Sequence, residues 1–365
     1  MFIPITPQIN DYAFGRFREL PSPLFGSTPP WLMQIPVNHK ISLGSDIIHF
    51  IKFIQLNPSE KDKRKQLIKQ VTKVIDSLKI ISKNGKPKVS FISPQTPSCV
   101  TLYGSEKSNL ALPFSDIDIS LSGEFINVNS TIAFQFISDA LANACICNEV
   151  LSLPLARIPL LKMKGIQDEI NIDISIDNQN GIETTKLIGR LCHKNSMLRP
   201  LVILIRYLLH QAGFTSVMNG GLNTFMITLL VYSFLEMYNT GNITGGIPDN
   251  DIGSVFITFL QHFGYDFNYS KYGISVGVEC SYFEKASRGW LDSKRPCMLT
   301  IENPFDETSN LTPNVYLTPS IKTYFANCLQ WILPSMGDDI YLFLPSNSRL
   351  ARIISLPEEL LNRNK

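Results

Sequence analysis

The chain has 365 residues, 44% of them hydrophobic and 18% charged, which is the balance of a globular protein with room for two domains. Its formal net charge of +2 excludes the heavily basic, histone-like class, so contact with nucleic acid must come from a local groove or from a partner. The seven cysteines follow no regular spacing and no His completes a zinc pattern, which excludes a disulfide framework and fits free thiols.

The opening MFIPITPQIN has neither a basic start nor a long apolar run, so no signal peptide is expected. Residues 1–38 are Pro-rich and aperiodic, and read as an extended N-terminal arm. Ile41–Leu56 carries apolar residues at helical spacing (Ile47, Ile48, Ile51, Ile54) and forms the core of a helical segment over 39–58. A second helix is predicted from Ser59 to Ile81, its lysines and Arg64 on a solvated face. Strands follow at Lys88–Ile92, Cys99–Tyr103, Ser115–Ser120, Arg157–Lys162 and Glu169–Ile176, with one helix from Thr131 to Val150 among them. From Glu183 on the pattern is helical: Glu183–Cys192, Met197–Ala212, Phe225–Tyr238, Ile252–Phe263 and Ser320–Ile332. The fold class is therefore α+β: a mixed layer of strands and helices over 59–182, a mostly helical domain over 183–345, and a tail over 346–365. The longest apolar run, Phe225–Leu235, is short of the roughly 20 residues a bilayer span needs, so no membrane is expected.

The sharpest local feature is Gly104-Ser105 followed by Asp116-Ile117-Asp118. In a strand, residues i and i+2 share a face, so the two carboxylates stand together with Ile117 buried behind them. Like charges so placed repel unless a cation separates them, and hard oxygen ligands favour Mg²⁺ or Mn²⁺. Asp173 lies in a second alternating strand, Asn171-Ile172-Asp173-Ile174-Ser175, and projects opposite its isoleucines. Three carboxylates suit two metal ions that activate a hydroxyl for attack on an α-phosphate and hold the triphosphate. Gly104 lets backbone approach phosphate closely, and Ser105 offers a hydroxyl beside it.

The segment Tyr103-Gly104-Ser105…Leu112-Pro113-Phe114-Ser115-Asp116-Ile117-Asp118 resembles the signature of noncanonical poly(A) polymerases and terminal uridylyltransferases, within the DNA polymerase β nucleotidyltransferase superfamily. Further segments resemble that family in order. They are Ala156–Lys162, Asn171–Ser175, Asn180-Gly181-Ile182-Glu183 (read as a turn), Leu198–Arg206, Gly220–Phe225 and Ile301–Pro304, and the likeness spans about residues 30–330. The nuclear-surveillance type of poly(A) polymerase is the most similar branch. The resemblance implies a polymerase β-like nucleotidyltransferase domain with a mixed sheet, and a mostly helical poly(A) polymerase-type central domain. It further implies an active-site cleft between them, and packing of the 39–58 helix with the central domain.

Carried over by resemblance, Ser105 binds triphosphate, while Gly181 and Thr184 lie along sugar and base. Arg206 stands where the family has a lysine, His210 follows one turn later, and Thr224-Phe225 replaces Ser-Tyr. Phe225 either stacks on the base or joins the core, and His210 either binds ligand or caps a core helix. Arg157 and Lys162 either touch phosphate or line a strand, and Asn178 reads as a turn residue. Base choice depends on a loop holding Ser309-Asn310, where uridylating relatives carry His; Pro313 replaces the family's arginine. The implied activity is template-independent addition to RNA 3′ ends, with two Mg²⁺ or Mn²⁺ ions and ATP as the substrate nucleoside triphosphate. UTP is the alternative substrate, and an inactive RNA- or protein-binding scaffold a third reading. The sequence shows no RRM, KH, zinc knuckle or RGG tail, so the expectation is either weak, distributive RNA binding or a partner protein with its own RNA-binding module, in an intracellular setting with the nucleus favoured over the cytoplasm.

Overall fold

Helix α1 (Leu43–Ile54) and helix α2 (Pro58–Asp76) are separated by a strong punctuation. The Asn57 side chain accepts from Glu60 N at 2.8 Å, and the Glu60 carboxylate accepts from Asn57 N at 2.9 Å. This capping box, with Pro58 at the first helical position, starts α2 one residue before the predicted Ser59. The computed structural model describes residues 28–35, 41–83, 86–91, 98–243, 251–277, 279–333, 348–361 and 363. It divides into two compact units, one of residues 54–194 and one of the described residues up to 53 together with those from 195 on. Most of the predicted arm lies outside the described residues.

In the unit of residues 54–194, α2 ends at Asp76 rather than Ile81. The β-favouring segment beyond it forms β1 (Leu78–Lys83), paired antiparallel with β2 (Lys86–Phe91). The main sheet holds β3 (Val100–Tyr103), β4 (Ile117–Leu121), β5 (Cys147–Leu153), β6 (Leu160–Gly165) and β7 (Asn171–Ile176) in the order β3-β4-β7-β6-β5. Only β4 and β7 run parallel. A four-residue helix, α3 (Gly104–Lys107), follows β3 directly. Helix α4 (Ser130–Asn143) stops seven residues short of the predicted Val150, because Cys145 adopts φ 55° and turns the chain into the edge strand β5. Pro159 delays β6 to Leu160, and the left-handed Glu169 (φ 54°) delays β7 to Asn171. One face of the sheet is dry: Ile117, Ile119, Leu161, Met163, Ile172 and Ile174 pack with Val71 and Ile75 of α2 and Phe134 and Ile137 of α4. Helix α5 (Gln179–Lys194) begins one residue before the predicted turn Asn180–Glu183 and runs through it, capped by Asn178 Oδ1, which accepts from Gly181 N at 2.9 Å. It belongs to this unit, which places the division at 194 rather than 182.

The second unit is built from α1, α6 (Leu198–Gln211), α7 (Thr224–Asn239), α8 (Ile252–Gln261) and α9 (Thr318–Ile332). Two hairpins join them: β8 (Tyr272–Val276) with β9 (Cys280–Glu284), and β10 (Glu302–Asn303) with β11 (Asp306–Asn310). Asp46 of α1 is buried and accepts from Trp31 Nε1 at 2.8 Å, Ser348 Oγ at 2.8 Å and Leu350 N at 3.0 Å. The predicted tail is thereby part of the packing, with Leu350, Ile354 and Leu360 buried ahead of the short α10 (Glu358–Leu361). The seven cysteines are free thiols, and no described helix is long and apolar enough to cross a membrane.

Candidate active site

Strand register assembles the polar face of the sheet. Tyr103 of β3 pairs with Asp118 of β4, Asp118 with Asp173 of β7, and Asp173 with Lys162 of β6. Paired residues point to one face, so four polar side chains from four strands form a row across the sheet. Ile117, Ile172 and Ile174 face the opposite, buried side. Asp116 sits just before β4, so the strand expected from Ser115 begins two residues late.

Lys162 closes the cluster. Its Nζ donates to both oxygens of Asp173, at 2.7 and 3.0 Å, and lies 4.0 Å from Asp116 Oδ2. Burial on its own would lower the Lys162 pKa, but the hydrogen bond and charge of Asp173, with the charges of Asp116 and Asp118, push it up. Burial raises the Asp173 carboxyl above its usual value; Lys162 opposes this and Asp116 adds to it. Asn171 Nδ2 donates to Asp116 Oδ1 at 3.2 Å. Lys162 lies in β6 with its ammonium on the aspartates, and Arg157 is exposed between β5 and β6.

Gly104 is required twice over. Its φ is +70°, and a Cβ there would lie 2.7 Å from Asp118 Cγ. Its N–H donates to Thr185 Oγ1 at 2.8 Å, and Thr185 Oγ1 donates to Gly181 O at 2.7 Å. Thr185 thus ties α5 to the Gly104 turn, and the Thr184 hydroxyl donates to Gly181 O within its own helix. Gly181 is small for a steric reason, since a Cβ would lie 2.6 Å from Tyr103 Cε2. Asn178 is more than a turn residue: besides capping α5 it donates to the Tyr103 hydroxyl at 3.0 Å. Ser105 is buried in α3, one residue from the Gly104 turn.

The remaining expected residues lie in the other unit. Arg206 is half-buried on α6, where its neighbours Leu204, Ile205, Tyr207 and Leu208 are buried. His210 is exposed one turn on, in the last turn of α6, with Nδ1 3.4 Å from Thr215 Oγ1. Thr224 opens α7 behind the cap Asn223. Phe225 stays outside the core and stacks on Phe305, with centroids 6.3 Å apart and planes at 25°. Phe305 is 47% exposed and was not among the expected residues. Ser309 and Asn310 lie in β11 rather than in a loop. Asn310 and Pro313 line a cavity of about 360 Å³ with Lys285, Trp290 and Arg295.

The three aspartates suit a hard divalent cation by donor type, and the Lys162 ammonium shows Asp116 and Asp173 facing one positive charge. As the side chains stand, the described residues contain no group of three His, Cys, Asp or Glu arranged as metal ligands.

Residues 43–191 match the family model described as the central palm domain of mitochondrial-like poly(A) RNA polymerase, and residues 251–309 match that of the Cid1 family poly A polymerase. The chain is 29% identical over 302 residues to poly(A) RNA polymerase cid14 of Schizosaccharomyces pombe, covering 82% of this chain and 42% of that one. It spans 33–42% of the length of three such curated relatives. Its fold matches the polymerase core of TRAMP, an RNA surveillance complex, with TM-score 0.72 and 24% identity over 92% of this chain and 100% of that one. It also matches the Cid1 poly(U) polymerase, with TM-score 0.63 and 17% identity over 84% and 98%. Two models of poly(A) polymerase domains thus fall in order on the chain, at 43–191 and 251–309, and over those residues it is similar to the noncanonical poly(A) polymerases and terminal uridylyltransferases.

Proposed function

We propose that this chain adds nucleotides, adenylates by preference, to RNA 3′ ends without a template. The observation that carries this reading is the row Tyr103–Asp118–Asp173–Lys162, with Asp116 facing the same ammonium. Asp116 and Asp118 hold the triphosphate side through bound cations, and Asp173 orients the 3′-hydroxyl and takes its proton. The 3′-oxygen bonds to the α-phosphorus as the bond to pyrophosphate breaks. Asp116, Asp118 and Asp173 would hold Mg²⁺ or Mn²⁺, which when bound would supply positive charge to offset the phosphates and lower the pKa of the hydroxyl. Gly104 lets the Asp118 carboxylate pack against the turn, and Ser105 beside it contributes a hydroxyl to phosphate.

In the second unit, Arg206 and His210 offer positive and hydrogen-bonding groups to phosphate. Phe225, backed by Phe305, offers a stacking surface for the base. ATP is favoured because Ser309-Asn310 lacks the histidine of uridylating relatives and because the curated relative cid14 is a poly(A) RNA polymerase. The likeness to a poly(U) polymerase fold keeps UTP as the alternative. A partner protein supplies RNA affinity, and nuclear residence suits the likeness to a surveillance-complex core. The test offers each of the four NTPs, with Mg²⁺ or Mn²⁺, to an oligoadenylate primer. ATP incorporation above the other three supports the reading, and preferential uridylation replaces it with the alternative.

A further inference from the structure

Arg64 stands in the charged run Lys61-Asp62-Lys63-Arg64-Lys65, where its neighbours are exposed, yet it is only 2% exposed itself. The reason is helical phase: 64, 67, 71 and 75 form one stripe of α2, and Leu67, Val71 and Ile75 are core. A guanidinium in a core position is costly unless its donors are matched. Its Nε donates to Glu106 Oε2 at 2.6 Å, one NH group to Ser115 O at 2.9 Å, and the other to Asp116 O at 3.3 Å. Glu106 follows Ser105 in α3, and Ser115 and Asp116 are the last residues before β4. The Ser115 hydroxyl further locks its own turn by accepting from Leu112 N at 2.8 Å.

We propose that Arg64, with Glu106, is a positioning residue that fixes the Gly104–Ser105 turn against the peptide carrying Asp116. The proposal rests on the reading of the aspartates as a cation-binding nucleotidyl-transfer site. A planar fork is needed, because one group must reach a carboxylate and two carbonyls at once; lysine keeps the charge but reaches them as a single point. Arg64→Lys and Glu106→Gln are compared with wild type and Asp116→Ala. The readouts are Mn²⁺ affinity by electron paramagnetic resonance without nucleotide, kcat and KM for primer extension, and thermal melting. Arg64→Lys is expected to weaken Mn²⁺ binding about tenfold and lower kcat about 10–100-fold, as supporting partners of metal ligands do, while melting within a few degrees of wild type. Glu106→Gln, which keeps Arg64 but removes its charged partner, is expected to shift both in the same direction, and it decides the matter if Arg64→Lys does not fold. Wild-type Mn²⁺ affinity and kcat in a folded Arg64→Lys, or in Glu106→Gln when that variant decides, overturn the proposal, whatever the melting shift. Equal Mn²⁺ binding by wild type and Asp116→Ala overturns the site reading itself and the proposal with it.

Discussion

Gly104→Ala isolates the packing between the phosphate turn and Asp118. The added Cβ would lie 2.7 Å from Asp118 Cγ and 3.1 Å from its Cβ. Carbon atoms rest about 3.5–4.0 Å apart, so the carboxylate must retreat by about 1 Å, or the turn must open by as much. A misplacement of about 1 Å at reacting groups costs about 10²-fold in rate. The backbone adds its own penalty, since alanine at φ +70° costs about 1–2 kcal/mol, worth about 2–8 °C in melting temperature for a domain of this size. Single-turnover extension of a labelled RNA primer at saturating ATP, paired with a thermal melt, measures both. The expected result is a rate lower by about 10²-fold with only a small melting shift. A variant that melts lower but extends RNA within about threefold of wild type would refute the argument, because Asp118 could then move freely without consequence.

Phe305→Ala removes the ring behind Phe225 and is expected to raise the KM for ATP several-fold with kcat nearly unchanged; an unchanged KM sinks the stacking role. Acid stability offers a test of the second unit. Burial lowers His262 from its usual 6.5 to about 4, while Asp266 pulls it upward and Tyr282 shares a 2.8 Å hydrogen bond with its Nε2. The folded His262 stays neutral while the unfolded chain takes up a proton, so its contribution is intact above pH 6.5 and is lost as pH falls toward 4. The shift corresponds to about 3 kcal/mol, and His262→Phe should flatten melting temperature against pH across that window; an unchanged slope contradicts it.

The three aspartates were readable because alternation with Ile117, Ile172 and Ile174 fixes which face each carboxylate takes. What closes the cluster was not, because Lys162 reaches Asp173 only through the β6–β7 register, which no local pattern sets. Phe305 escaped for a similar reason: its place depends on a hairpin of two and five residues with no hydrophobic alternation. The start of α5 was hidden by Gly181, a helix-disfavouring residue kept small by the Tyr103 ring. Arg64 was legible in principle from its spacing to Leu67, Val71 and Ile75, but a run of lysines around it mimics a solvated face. The edge strand β5 was merged with α4 because Cys147–Leu153 buries only its first residue outright and so carries little periodicity.

The central claim is that Asp118 and its row perform nucleotidyl transfer, and incorporation of α-labelled ATP into the 3′ end of an RNA primer tests it most directly. Wild type and Asp118→Ala are compared at matched concentration, with folding checked by melting. Template-independent extension by wild type, falling by about 10³-fold or about 4 kcal/mol of barrier in the variant, is the predicted result. Equal trace incorporation by the two proteins would contradict the account and leave a scaffold built on a polymerase fold.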